Sequence, residues 1–135
     1  MAIVIANAGE LVLLEAFVGL NTAQDLNLSL FVNNYTPVKA STAADFTECS
    51  LAGYSSIPLA ANNWNSAVAA TPSYIEYPQQ TFTFTYNGSQ SPVYGYYLTQ
   101  AISGNLVYAE RFAVAPRYIE VDTDEIIIPL RIEIS

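Results

Sequence analysis

The pattern of hydrophobic and polar positions changes once along the chain, near residue 20. Residues 7–19 form an apolar run in which Glu10 and Glu15 are the charged positions. Asn7 predicts a helix N-cap, with Glu10 three residues later completing a capping box, and Gly19 predicts the helix end. Because such a helix is apolar nearly all the way round, we expect it to be sandwiched between other parts of the protein or between subunits.

Beyond residue 25 the dominant period becomes two, which is typical of strands with one buried face. Apolar and polar residues alternate from Leu26 to Val32, and the aromatic residues Phe82, Phe84 and Tyr86 alternate with threonines over residues 81–86. A third alternating stretch runs from Ile126 to Ile134. Because Pro129 cannot donate a backbone hydrogen bond, we expect an unpaired side or a bulge at that point.

The remaining segments supply further strands and their connections. Residues 93–100 and 106–112 flank the five-residue link 101–105, which contains glycine and predicts a hairpin. A short strand is expected at 118–121. Residues 33–73 are expected to form long connections with short strands, because the aromatic residues in this segment need burial.

About seven short strands separated by turn signals favour an antiparallel β-sandwich or jelly-roll-like fold. We therefore predict an all-β single domain over residues 1–135, with one short N-terminal helix at 7–19 and a β-sandwich at 26–134. Neither a repeat nor a domain boundary is visible in the pattern.

Composition narrows the classes of function. Twelve acidic and four basic residues give a formal charge of -8, which disfavours binding to nucleic acids or to an anionic membrane surface. No apolar stretch reaches the roughly 18 residues of a membrane span. The N-terminal residues lack the basic start of a secretory signal. With 52% apolar and only 12% charged residues, we expect some apolar surface to contact another subunit.

The chain contains few residues of the types that commonly act in catalysis. The chain contains no histidine and a single cysteine, Cys49, so a thiol or serine nucleophile has no imidazole base. Cys49 is predicted to be a small buried side chain. Cysteine-ligated metals and an internal disulfide are excluded. We predict neither an enzyme nor a cofactor.

Two acidic segments are candidate binding or catalytic sites. Asp122, Asp124 and Glu125 could bind a hard cation such as calcium, although their spacing favours a solvated turn. Asp45 and Glu48 lie three residues apart in a predicted helical turn capped by residue 41 or 42. Their spacing cannot establish the facing carboxylates of a glycosidase, and a surface turn is favoured.

The charged pair Glu110 and Arg111 and the tyrosines are more typical of structural or binding surfaces than of a catalytic site. Glu110 and Arg111 should point to opposite faces of a strand, as cross-strand partners or interface charges. The ten tyrosines include Tyr94, Tyr96 and Tyr97. These three side chains could cover the core or a sheet face, form a subunit interface, or stack on a carbohydrate.

The order of several short motifs resembles a family of small virion proteins of tailed bacteriophages, and most closely the head-decoration or cement proteins of cyanophage-type capsids. The motifs that carry the resemblance are Asn7–Glu10, Leu26–Pro37, Asp45–Glu48, Gly53–Tyr54, Asn63–Trp64, Tyr77–Phe84, Val93–Tyr97 and Tyr108–Phe112. The resemblance implies a homotrimer on the outer surface of the phage head that contacts the major capsid protein after the shell expands. It implies no catalytic residues.

Three hypotheses follow. The first is a capsid cement protein, the second a tail- or fibre-associated domain that recognises a host glycan through tyrosines, and the third an enzyme that uses only carboxylates. The last is the least favoured. The candidate interface residues are Leu11, Leu14, Phe17, Val18, Tyr94, Tyr96, Tyr97, Glu110 and Arg111.

Overall fold

A computed structural model describes residues 3–20, 22–86, 88 and 91–134, with Ile3 and Ile134 described by their backbone alone. The predicted fold class is confirmed: the protein is mostly β, with antiparallel sheets arranged like a sandwich and one short helix, α1 (Asn7–Phe17). The strands are β1 (Ile3–Ile5), β2 (Leu26–Phe31), β3 (Ile57–Leu59), β4 (Ser73–Glu76), β5 (Gln80–Thr83), β6 (Ser91–Val93), β7 (Gly95–Gln100), β8 (Leu106–Arg111), β9 (Arg117–Ile119), β10 (Glu125–Ile128) and β11 (Arg131–Ile134).

One layer is a five-stranded sheet in the order β1-β8-β7-β2-β3. Strand β7 lies at its centre, and its Leu98 pairs with Leu28 of β2 and with Tyr108 of β8. The predicted hairpin between β7 and β8 is confirmed. The amide of Gln100 donates to the carbonyl of Asn105 across the turn at 3.0 Å.

The other layer consists of three two-stranded pieces: β5 with β10, β4 with β11, and β6 with β9. The C-terminal stretch, expected as one strand, is two strands that change partner at Pro129. Residues 77–79 lie opposite residues 129–130, so the ribbon carries an extra residue at this corner. The irregularity expected from the missing amide hydrogen of proline is therefore present.

A second strand run is also divided. The predicted strand at 93–100 breaks at Tyr94, where β6 pairs with β9 and β7 continues into the five-stranded sheet. Tyr94 connects the two layers because its amide donates to the carbonyl of Phe31 at 2.9 Å. The last short strand, expected at 118–121, lies at Arg117–Ile119.

The main core lies between the two layers. Leu28, Leu30 and Leu98 of the sheet are fully buried and belong to one cluster with Phe82 and Ile128 of the opposite layer. The alternation seen in the sequence produces this core, since every second side chain of each strand points inward.

A second core covers the other face of the sheet, where the sequence predicted a polar surface. Phe31 is 0% exposed and contacts Phe46, whose ring stacks on Tyr97 with centroids 4.7 Å apart. The one-faced burial predicted for residues 26–32 is therefore wrong. The segment 33–48 folds back over this face, and such a distant contact leaves no period in the strand itself.

Residues 33–73 form long connections with one short strand, as predicted. This region contains strand β3 and two short 3-10 turns, Ala43–Asp45 and Ala61–Asn63. Its aromatic residues are buried or half-buried: the ring of Tyr54 stacks on Phe82, and that of Trp64 packs edge-on against Tyr77.

Candidate functional site

Helix α1 begins and ends differently from its prediction. Its N-cap is Ala6, and Asn7 is the first helical residue without a side-chain cap, so the capping box predicted for Asn7 and Glu10 is wrong. The carboxylate of Glu10 instead pairs with the ammonium of Lys39 at 2.6 Å. The amide of Asn7 donates to the carbonyl of Lys39 at 2.8 Å, so the loop around residue 39 holds the start of the helix.

The end of α1 confirms Gly19 as the stop. Gly19 has a φ of +74°, and its amide donates to the carbonyl of Ala16 at 3.1 Å. The amide of Leu20 donates to the carbonyl of Glu15 at 2.9 Å. These two bonds form a Schellman motif, which requires the left-handed backbone that glycine adopts at little cost.

The inner face of α1 lies on strand β8. Gly9 is buried, and a methyl group at this position would collide with the backbone carbonyl oxygen of Val107. Glycine therefore allows the helix backbone to approach the strand directly. Val12 and Ala16 follow on the same face and line a cavity with Val107.

The outer face of α1 is apolar and exposed to solvent. Leu11, Leu14 and Val18 follow one another at helical spacing, with Phe17 beside them. Their exposed fractions are 60%, 64%, 71% and 89% in the order Leu11, Leu14, Val18 and Phe17. A surface helix normally carries polar residues on this side, so α1 departs from the usual amphipathic arrangement.

The single chain covers only the inner side of α1, so the alternative in which other parts of the same chain enclose the helix is wrong. Enclosure between subunits stays a prediction. Leu20 is a further exposed apolar residue that was not predicted from the sequence; its side chain is 71% exposed, and it follows the glycine that ends the helix. Hydrophobic residues often occur at this position of a Schellman motif, so the pattern around Gly19 contained the signal. We define the outer face of α1 as the surface formed by Leu11, Leu14, Phe17, Val18 and Leu20.

The tyrosines expected at an interface lie mainly in the interior. Tyr96 is 4% and Tyr97 is 7% exposed, each on one face of the central strand β7. Neither side chain is available to a partner or a glycan, so both are corrected from candidate contacts to core residues. The physical reason is that β7 is covered on both faces. Tyr94 is half-buried.

Glu110 and Arg111 point to opposite faces of β8, as predicted. The carboxylate of Glu110 accepts hydrogen bonds from the hydroxyls of Tyr96 at 2.8 Å and Tyr108 at 3.4 Å. Tyr96 is also its cross-strand neighbour. On the other face, Arg111 donates to the carbonyl of Tyr35 at 3.1 Å. Both charges are half-buried and bound within the chain, and their interface role stays a prediction.

Burial changes the ionisation of several side chains. It raises the pKa of Tyr96 and of Tyr108, and the nearby Glu110 carboxylate adds to the rise for both. Cys49 is 3% exposed, which confirms it as a small buried side chain, and burial raises the pKa of its thiol. A thiol held in its protonated form is a poor nucleophile.

The carboxylates of the 122–125 segment organise a turn. One oxygen of Asp124 accepts from the amides of Glu120 at 2.8 Å and Val121 at 3.1 Å, and these bonds lower the pKa of the Asp124 carboxyl. An oxygen of Asp122 accepts from the amide of Tyr86 at 3.3 Å. Among the described residues, no group of three or more potential ligands is placed to hold a metal ion.

Asp45 and Glu48 have separate partners. Asp45 completes a capping box with Thr42, the cap that the sequence offered as one of two choices. The carboxylate of Glu48 accepts from the hydroxyl of Tyr54 at 2.9 Å. Each carboxylate therefore has a local structural role.

The four cationic side chains all have partners within the chain. These pairings are Lys39 with Glu10, Arg131 with Glu76 and the ring of Tyr74, Arg111 with the carbonyl of Tyr35 and the ring of Tyr94, and Arg117 with the ring of Phe112. With a formal charge of -8, the protein presents a predominantly acidic exterior. Within the part of the chain that the structure describes, no helix has both the length and the apolar character needed to cross a membrane.

No model of a protein family matches the chain, and a search of curated proteins finds no similar sequence. We therefore infer the function from the residues and contacts of the chain itself.

Proposed function

We propose that this protein is a bacteriophage virion structural protein, a cement protein that binds the outer surface of the expanded capsid lattice and stabilises it. The observation that carries the proposal is the outer face of α1. An apolar helix face of this kind is typical of a surface that another protein molecule covers. The motif order that resembles head-decoration proteins supports the choice of partner.

The physical mechanism is selective binding to one state of the shell. A protein that binds the expanded lattice, but not its precursor or its subunits, stabilises the lattice by mass action. Equivalent copies bound around the shell add their effects through multivalency. This role requires a surface that is complementary in shape to the lattice and that makes apolar contacts with it. The acidic exterior repels the phosphates of packaged nucleic acid.

We further propose that the protein is a homotrimer in which the outer face of α1 contacts neighbouring copies, while other surfaces contact the major capsid protein. Leu14, at the centre of this face, is 64% exposed in the single chain. Covering it and its neighbours against a second copy removes apolar area from water, at about 25 cal/mol per Å².

The first experiment measures the oligomeric state by light scattering. Wild-type protein should be a trimer, and Leu14→Glu should dissociate it because the new charge would be buried in the contact. Val114→Glu is the matched control, since Val114 is 81% exposed and lies outside α1. A monomeric wild-type protein, or a trimer unaffected by Leu14→Glu, contradicts this part of the proposal.

The second experiment tests the function in the virion. Particles that lack the protein should release DNA at a lower temperature than complete particles, and added wild-type protein should restore the difference. Immunogold labelling should place the protein on the head. Equal heat resistance with and without it, or labelling of the tail, contradicts the cement function.

The glycan-binding alternative loses two of its three residues, because Tyr96 and Tyr97 are buried. The ring of Tyr94 faces the guanidinium of Arg111, with 5.1 Å from the guanidinium carbon to the ring centre. No specific contact favours a sugar platform over an assembly surface.

A further inference from the structure

The outer face of α1 contains a narrow apolar seam with the spacing of a coiled coil. Leu11, Leu14 and Val18 follow one another at intervals of three and four residues, which are the core positions a, d and a of two heptads. We call these three residues the α1 seam. At 3.6 residues per turn, the seam points about 160° away from the inner face that lies on β8. The chain therefore holds the helix from behind and presents the seam to solvent.

Two carboxylates flank the α1 seam, one on each side. With Leu11 at position a, Glu10 occupies position g and Glu15 occupies position e. When helices pack in parallel around a rotation axis, a g residue of one helix faces the e residue of the next helix, five positions further along. Glu10 of one copy would then face Glu15 of its neighbour, and α1 contains no basic residue. Two facing carboxylates repel each other unless a cation lies between them.

A cation lies beside one of these carboxylates, and a loop distant in the sequence provides it. The ammonium of Lys39, the only lysine of the chain, pairs with the Glu10 carboxylate at 2.6 Å. The Lys39 side chain is 66% exposed, and Glu10 is its one partner among the described residues. Because an ammonium group has three donors, donors remain for a carboxylate of another copy.

From these observations we propose that the α1 helices of three copies pack in parallel around the threefold axis along the α1 seam. Lys39 then bridges Glu10 of its own chain and Glu15 of the neighbouring copy. The inference rests on the homotrimer of the proposed function and specifies its contact. Three helices that run along a threefold axis are necessarily parallel. A face that packs on its own symmetry copies also needs no second apolar surface elsewhere on the chain.

Disulfide formation between identical positions tests the arrangement of the helices. In a parallel bundle, Leu11 lies beside Leu11 of the next copy, and Val18 does the same about 10 Å further along the axis. Leu11→Cys and Val18→Cys, oxidised as separate full-length proteins, should each form covalent dimers within the trimer. Leu13→Cys is the matched control, because this leucine is 41% exposed but points away from the seam, and it should not crosslink. The native Cys49 is 3% exposed and should not interfere.

Lys39→Met tests the charge bridge. This substitution keeps an unbranched side chain and removes the ammonium, so that Glu10 and Glu15 of neighbouring copies face each other. Trimer association, measured by analytical ultracentrifugation, should weaken roughly tenfold, since three exposed ion pairs of a few-fold each are lost. Adding Glu15→Gln to Lys39→Met should restore association, because the repulsion is then removed. If Lys39 acted only on the start of its own helix, the double variant would stay as weak as the single one.

Three outcomes overturn the inference. A wild-type trimer in which neither cysteine variant crosslinks shows that α1 contacts a different surface of the next copy, and it leaves the homotrimer in place. Crosslinks that form only in a mixture of Leu11→Cys and Val18→Cys show antiparallel helices. A double variant that remains as weak as Lys39→Met refutes the bridge. A monomeric wild-type protein overturns the homotrimer together with this inference, so the two failures are distinguishable.

Discussion

Strand β7 and helix α1 are both rich in apolar side chains, yet the protein buries them to opposite extents. In β7, Gly95 and Leu98 are buried, as are the tyrosines between them. In α1 the buried residue is Gly9, while Phe17 is 89% exposed. The difference arises because β7 pairs on both edges and is covered on both faces, whereas α1 contacts β8 on one side only.

An apolar segment in the sequence therefore predicts that its side chains are buried, but it does not identify the part of the chain or the other molecule that covers them. For β7, the chain itself provides the cover. For α1, we propose that another copy does. The predictions below test this difference, from the largest expected effect to the smallest.

Truncating a leucine should cost far more in β7 than in α1. Leu98 is 0% exposed, so Leu98→Ala should lower the free energy of unfolding by about 2–5 kcal/mol, through lost burial and a residual cavity. Leu14→Ala makes the same chemical change at a position that is 64% exposed, and it should cost below about 0.5 kcal/mol. Urea unfolding of the monomer, at a concentration verified by light scattering, measures both values. If both variants lost the same free energy of unfolding, this would contradict the observation that the chain covers only the inner face of α1.

Alkaline pH should weaken the β7 region. Burial raises the pKa of Tyr96 and Tyr108 in the folded state above the value of about 10 in the unfolded chain. The stabilisation is complete below pH about 10 and is lost as the pH rises further, by about 1.4 kcal/mol per tyrosine per pH unit. Absorbance at alkaline pH and urea unfolding at each pH measure this loss.

The control for the alkaline effect is Tyr118, which is 49% exposed. A Tyr118→Phe variant should keep the full pH dependence, whereas Tyr96→Phe should reduce it. Ionisation of all tyrosines near pH 10 without loss of structure would contradict the buried hydroxyl network.

Gly9→Ala should separate helix propensity from helix packing. Propensity alone favours alanine by about 0.5–1 kcal/mol. In the folded protein, however, the new methyl group would lie 2.9 Å from the Val107 Cα and closer still to its carbonyl oxygen. We expect a net loss of about 1–3 kcal/mol in urea unfolding, with reduced helical circular dichroism. A stabilised variant would show that α1 does not lie directly on β8.

The smallest effect concerns two glycines with the same backbone conformation. Gly19 at the end of α1 has a φ of +74°, Gly104 in the β7–β8 hairpin has a φ of +73°, and both have open space around them. Alanine at either position should add about 1–2 kcal/mol of local strain. Hydrogen exchange should show fraying of the last turn of α1 in Gly19→Ala with unchanged global unfolding. Gly104→Ala should instead lower global stability, because its hairpin joins two buried strands.

The elements were largely predictable because their signals are local. The alternation at 81–86 and 126–134, the hairpin at 101–105 and the stop at Gly19 follow from side-chain period and glycine conformation. The break at Pro129 follows from its missing amide hydrogen. The start of α1 was not predictable in this way, since Lys39 binds Glu10 and holds Asn7 from a distant loop.

The candidate site was predicted in part. The sequence correctly indicated Leu11, Leu14 and Phe17 as apolar residues in a helix, and Val18 is the C-cap of that helix. All four side chains are exposed. It left Tyr96 and Tyr97 open between the core and an interface, because alternation within one strand does not show that both faces of the sheet are covered; the structure places both in the core. The cavity that Val12 and Ala16 of α1 line with Val107 was not predicted, because its other lining residues come from distant strands that include β2, β4, β7 and β11.

The sequence by itself determined the fold class, the single helix and the scarcity of catalytic groups, because these depend on residue type and short-range period. Only the tertiary structure decided which apolar residues become core and which remain exposed. The physical reason is that burial depends on contacts between distant segments, such as Phe46 on Tyr97, and these contacts leave no periodic trace in either segment. For α1, those contacts cover one side of an apolar helix and leave the other free.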